Sequence, residues 1–176
     1  LQALPQARPC IAGEHWVWDG VDFEVLHPPQ GHYANPNYSD NDRSCVLRIS
    51  GEHGAILLPA DIERLGELSL LERLPQGLQA DVLIAAHHGS RSSSMAEFLA
   101  AVQPRWVVIP VGHRNRFGHP AAETLARYRE LGAKILRTDR DGTVELRLTA
   151  RGMEVDRMRQ RARRYWHPPP ITGRRE

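Results

Sequence analysis

Three stretches of this sequence run from apolar residues straight into side chains that bind metals or move protons. Ala55-Ile-Leu-Leu-Pro-Ala-Asp61 ends in a carboxylate, and Asp81-Val-Leu-Ile-Ala-Ala-His87-His88-Gly89-Ser90 ends in two imidazoles and a hydroxyl. Val107-Val-Ile-Pro-Val-Gly-His113 ends in a further imidazole. Carboxylate oxygen and imidazole nitrogen together suit a divalent cation, so Asp61, His87 and His88 are the candidate metal ligands. Asp61 also stands where a helix N-cap would stand, and capping is the competing explanation for it. If strand geometry continued through both histidines they would point to opposite faces; His87 is the favoured ligand, with His88 left to pack or hydrogen-bond.

The next cluster is His113-Arg-Asn-Arg-Phe-Gly-His119, which gathers two imidazoles, an amide and two guanidinium groups in seven residues. That set suits a phosphate. Arg114 and Arg116, with Ser90, would contact its oxygens, while His113, Asn115 and His119 would hold or protonate it. His119, just before Pro120, is placed at a helix N-terminus, which favours an anion. The competing explanation is a solvated polar loop. Asp139 and Asp141 are assigned to turns, and Trp16 and Trp18 to packing. His15, His27, His32, His53 and His167 have no constellation around them and are assigned to the surface.

The elements that must position these groups are legible from periodicity. Asp19-Gly20 joins Trp16–Trp18 to the alternating run Val21–Leu26 as a hairpin. Residues 27–39 read as loop. Cys45–Ser50 and Ala55–Leu58 form an antiparallel pair. Ile62, Leu65, Leu68 and Leu71 mark a helix over residues 62–74. A strand over 81–86 precedes the double histidine, and Ser94-Met-Ala-Glu97 has the pattern of a capping box opening a helix that Pro104 stops. A strand over 105–111, a helix from Pro120 to Gly132, and strands at 135–137 and 143–148 complete the order. Strands followed by strand–helix alternation predict an α/β layer arrangement, a mixed sheet with outer helices.

A chain of 176 residues, 41% of them hydrophobic, suits one domain with an appendage. Mean hydropathy is −0.47, and no run approaches the roughly eighteen apolar residues of a membrane-spanning helix. No charged-apolar-small leader is visible, and the opening Leu1 instead of Met suggests a piece of a longer protein. Cys10 and Cys45 could pair, but two cysteines make neither a disulfide framework nor a zinc knuckle, and unpaired buried thiols are the expectation. The net charge of +2 conceals a division: residues 157–176 hold seven arginines against one acid, so the rest of the chain is acidic. Residues 1–150 are therefore assigned to the domain and 151–176 to a basic tail.

Several segments, in order, resemble the metallo-β-lactamase-like domain of the ComEC family of DNA-internalisation competence proteins. They are Asp40-Asn-Asp-Arg-Ser-Cys-Val-Leu-Arg-Ile, Leu57-Leu-Pro-Ala-Asp61-Ile-Glu, Ala86-His-His-Gly-Ser90, Pro110-Val-Gly-His-Arg-Asn115, Phe117-Gly-His-Pro120 and Arg137-Thr-Asp-Arg-Asp-Gly142. The opening Cys10 to Pro28 and the arginine-rich ending before Tyr165-Trp166 are also similar to that family. The resemblance implies an αββα sandwich with a one- or two-metal hydrolase site for zinc or manganese. In it Asp61 matches the bridging aspartate, and one of His87 and His88 the late metal-binding histidine. It further implies a parent protein in the bacterial inner membrane, a channel for single-stranded DNA. This domain, on the periplasmic side by preference, would help degrade the strand not taken up. The partners implied are DNA and the membrane-channel portion of the parent.

The His-x-His-x-Asp-His motif of that family's first half has no counterpart here, and Ala60 replaces the usual glycine before Asp61. The chain thus resembles the C-terminal half of the sandwich, with half a metal site and one sheet face without cover. Two other readings are another phosphodiester hydrolase of the same superfamily and a non-catalytic module that binds DNA through its tail.

Overall fold

The computed structural model describes residues 8–162. Strands β1 (His15–Trp18) and β2 (Val21–His27) form a hairpin. Asp19 and Gly20 both take the positive φ that a tight two-residue turn requires. β2 pairs antiparallel with β3 (Val46–Gly51), and β3 with β4 (Gly54–Leu58). From β4 onward the pairing is parallel, through β5 (Val82–Ile84), β6 (Trp106–Ile109) and β7 (Lys134–Arg137). The result is one seven-stranded mixed sheet whose spatial order follows the chain.

Parallel neighbours need crossovers, and here these are helices α1 (Arg64–Arg73), α2 (Ala96–Val102) and α3 (Ala122–Glu130). All three pack on one face of the sheet. Leu70, Phe98, Leu99 and Tyr128 share a buried cluster with Val46, Leu57, Leu83, Val107 and Ile109. On the opposite face the hairpin of β8 (Val144–Thr149) and β9 (Gly152–Arg157) brings Val144, Leu146, Met153 and Val155 against Val82, Val108 and Leu136. The mixed α/β sheet with outer helices expected from the sequence is the architecture observed. The boundary expected at residue 150 falls inside the β8–β9 hairpin, and residues 163–176 of the basic tail lie outside the described residues.

The hairpin covers only the β4–β7 end of that face. Register places Trp16, Phe23, Ile49 and Ile56 side by side across β1 to β4, with Val25, Leu47 and Leu58 in the next row. Trp16 stacks on Phe23 at 5.2 Å, yet Trp16 is 43% and Trp18 72% exposed. Phe23, Leu47 and Ile49 are only partly buried.

Several sequence expectations are corrected by packing. Cys10 and Cys45 are not free thiols; they form a disulfide, with Cα atoms 5.8 Å apart, tying the lead-in to the start of β3. His27 and His32 are not surface residues. His27 is fully buried, with Nε2 donating to the Asp42 carbonyl at 2.8 Å, and His32 stacks on Tyr38 at 3.7 Å. Burial lowers the His27 pKa to about 4, with the nearby His32 and Arg73 adding to the shift. His167 lies outside the described residues.

Both expected helix caps are displaced by remote carboxylates. Helix α1 starts at Arg64, and the oxygen that accepts from Glu63 N (3.0 Å) and Gly66 N (2.9 Å) is Oδ1 of buried Asp42, not Asp61. Ser94 does not cap α2. Its hydroxyl meets the buried Tyr128 hydroxyl at 2.6 Å, while the Glu67 carboxylate accepts from Ser94 N and Met95 N. Burial raises the Glu67 pKa to about 7.

Candidate metal and phosphate site

Parallel strands with all crossovers on one side bring their carboxyl ends to a common edge. The loops after β4, β5 and β6 meet there, and they carry Asp61, the double histidine, and residues 110–119. The strand geometry expected to continue through the histidines stops early. β5 ends at Ile84, and Ala86–Gly89 form a tight turn in which His87 (φ 46°) and His88 (φ 56°) are both left-handed. His87 N donates to Ala60 O at 3.0 Å, stitching this turn to the Asp61 loop. Gly89 has φ +79°, and a Cβ there would stand 2.7 Å from Cβ of Pro120. Only glycine lets the turn close on the third loop, which Ala121 N secures by donating to Gly89 O at 2.9 Å.

His88, rather than the favoured His87, is the histidine beside Asp61. Its Nε2 lies 3.7 Å from Asp61 Oδ1, too far for a hydrogen bond, and both side chains are about half exposed. His88 Nδ1 sits 2.7 Å from the Pro110 carbonyl, which can only accept, so Nδ1 carries a proton, and in the neutral ring the lone pair is on Nε2. Imidazole ligands are oriented by this type of bond. His87 is held differently: its Nδ1 is 3.1 Å from Glu63 Oε1, which also accepts from the Ser92 hydroxyl at 2.7 Å. Glu63 and Ser92 were not singled out by residue type. The signal for Glu63 is its place two residues after Asp61, on the same strand-to-helix connection.

The loop after β6 is braced by Asn115. Its Nδ2 donates to His119 O (2.7 Å), and its Oδ1 accepts from His119 N (3.0 Å). Asn115 thus shapes the loop through backbone groups. The His119 ring packs edge-to-face on His87 at 5.7 Å. Burial, then the neighbouring His87 and His88, push its pKa below the ordinary value. His119 is not at a helix N-terminus, because α3 begins at Ala122 with Ala121 as its cap residue. His113, Arg114 and Arg116 are exposed on this loop. Ser90 is buried, its hydroxyl 3.0 Å from that of Ser92.

The fit to a divalent cation is therefore partial. Asp61 and His88 offer one oxygen and one oriented nitrogen toward the same space, whereas catalytic zinc sites use three protein ligands. Among the described residues no group of three or more His, Cys, Asp or Glu is placed to hold a metal. The described residues do not supply a complete centre.

No family model matches the chain. It is similar to Competence protein ComA of Neisseria gonorrhoeae, 39% identical over 165 residues, 94% of this chain and 23% of that protein. It is 29% identical over 160 residues to the uncharacterized protein YcaI of Escherichia coli, covering 91% of this chain and 21% of that one. It is also 34% identical over 127 residues to ComE operon protein 3 of Bacillus subtilis, 72% of this chain and 16% of the relative. The chain therefore spans about a quarter or less of the length of the curated relatives it matches. No helix among the described residues is long and apolar enough to cross a membrane.

Proposed function

We propose, from the premise that homologues of this chain are named as competence proteins, that it is one segment of a larger DNA-uptake protein acting in natural transformation. In that protein it contributes half of a metal-dependent phosphodiesterase site. The observation that carries this reading is the approach of His88 Nε2 to Asp61 Oδ1 at 3.7 Å, with His88 Nδ1 tied to Pro110 O. A divalent ion, zinc or manganese, would take these two ligands and complete its shell from residues outside this chain. It would supply Lewis acidity toward a phosphodiester. Glu63 holds His87, His87 packs on His119, and Asn115 fixes the backbone at His119. Arg114 and Arg116 would attract the phosphate, with His113 at the outer edge.

Two further observations support a partial domain. The apolar row Trp16, Phe23 and Ile49 on β1 to β3 is left half-exposed on the face away from the helices. Such a face suits a second layer of the same protein, the other half of a metallo-β-lactamase-like sandwich. The Cys10–Cys45 disulfide supports an oxidising compartment, and so the periplasmic side of a membrane parent.

The test is metal content and cleavage of single-stranded DNA by the longer protein containing this chain, with and without Asp61→Ala. Metal-dependent cleavage lost in the variant is expected. Cleavage confined to small phosphodiesters would instead make it another hydrolase of that type. Salt-sensitive DNA binding with no turnover would make it a docking module.

A further inference from the structure

Phe117 is 68% exposed and belongs to neither buried cluster, although it is a large apolar side chain on an otherwise polar loop. Its ring stacks on His119 with centroids 6.0 Å apart and planes 18° from parallel. The Arg116 guanidinium carbon lies 4.9 Å from the Phe117 ring centroid. Gly118 makes the stack feasible: its φ of +69° folds the chain back so that residues 117 and 119 present parallel rings. Asn115 clamps the far side of that turn through both its amide atoms. A surface aromatic held in this way is not there to fill a core.

Its neighbours are charged and ligand-seeking. Arg114 and Arg116 are exposed, and neither forms an ion pair among the described residues. His119 leads inward to His87 and the Asp61–His88 pair. A flat apolar ring one step outside a phosphate-handling cluster, with Arg116 against it and no acid paired to Arg114 or Arg116 among the described residues, matches a nucleotide whose phosphate points inward and whose base lies outward.

We propose that Phe117, with Arg116 against it, is a stacking platform for an unpaired nucleobase at the mouth of the site. This rests on the phosphodiester reading of that site. A phenyl ring has no donor or acceptor with which to identify a base, so the platform is indifferent to sequence. It does discriminate against duplex, whose bases are already stacked and paired.

The experiment compares binding of this chain to a short thymidine oligonucleotide and to an abasic strand with the same phosphates, by fluorescence anisotropy. The base-bearing strand should bind roughly ten-fold more tightly, the order expected for one stacked base. Phe117→Ala and Phe117→Leu should abolish that preference and leave abasic binding unchanged, while Phe117→Tyr should keep it. Equal loss on both strands, an undiminished preference in Phe117→Ala, or a wild-type chain that binds neither strand or both alike would each overturn the platform. Cleavage by the longer protein is read separately. Cleavage without base preference sinks the platform alone, and base preference without cleavage sinks the phosphodiesterase reading alone.

Discussion

Asp42 and Asp61 stand nineteen positions apart in the sequence, each in a segment resembling the same family, and they are used in opposite ways. Asp42 is buried and accepts three hydrogen bonds: Oδ1 accepts from Glu63 N and Gly66 N, and Oδ2 from the Ser39 hydroxyl at 2.9 Å. Its own carbonyl accepts from His27, and Arg73 reaches the adjacent Leu26 carbonyl at 2.7 Å. Asp61 is about half exposed, and its nearest ionisable neighbour sits at 3.7 Å, beyond hydrogen-bond reach. A carboxylate that accepts three hydrogen bonds from its own chain is holding the fold together. One left facing an oriented imidazole is available to something else. The contrast extends to the two histidine environments, since buried His27 is bonded at both ring nitrogens, while His88 is anchored at one and open at the other.

Substitutions should separate the two regions sharply. Asp42→Ala leaves two backbone N–H groups at the start of α1 without an acceptor. At about 1–3 kcal/mol for each orphaned buried donor, a loss of roughly 3–5 kcal/mol is expected in urea unfolding. A loss near zero would remove the distinction. Gly89→Ala joins the regions, because the added methyl meets Pro120 and the positive φ disfavours it. A cost of about 1–3 kcal/mol is expected, with the loops after β5 and β6 pushed apart.

The pH dependence sharpens the comparison from the buried side. His27 has its pKa lowered from 6.5 to about 4, so the unfolded chain takes up the proton first. Its contribution is complete above 6.5 and is lost as pH falls toward 4. Glu67 works in the other direction. Its pKa is raised from 4.5 to about 7, so the folded chain holds the proton that the unfolded chain releases, and stability is lost as pH rises across that range. The two offset each other in the wild type. His27→Gln and Glu67→Gln, followed by thermal unfolding across that window, should therefore tilt the stability curve in opposite senses. The smallest effect belongs to the open site: Asp61→Ala should change stability by no more than about 0.5 kcal/mol, as its pairing with His88 is exposed and long. A larger cost would make Asp61 structural.

The sheet was legible because its strands are short apolar runs set between turn residues, and because Asp19-Gly20 fixes a hairpin by local conformation alone. The convergence of three strand ends also follows from pattern, once strand–helix alternation implies parallel strands. What pattern could not reveal was long-range substitution of roles. Asp42 does the capping that local spacing assigned to Asp61, from 21 and 24 residues away from the N–H groups it binds. Glu67 does the same for the segment at Ser94 from 27 residues away. The Cys10–Cys45 pair spans 35 residues, and nothing in two cysteines alone predicts their approach. Strand alternation, the reason for expecting the two histidines to face opposite ways, does not hold in the left-handed turn at 87–88. The 68% exposure of Phe117 is likewise a property that sequence does not display.

The most direct measurement is pulsed electron paramagnetic resonance of manganese bound to the longer protein, read for nitrogen coupling from a coordinated imidazole. One fewer coupled imidazole nitrogen in His88→Ala and an unchanged number in His87→Ala, with binding weakened by Asp61→Ala, is the predicted result. An unchanged number of coupled nitrogens in His88→Ala, or manganese binding indifferent to Asp61, would contradict a shared cation between these two side chains.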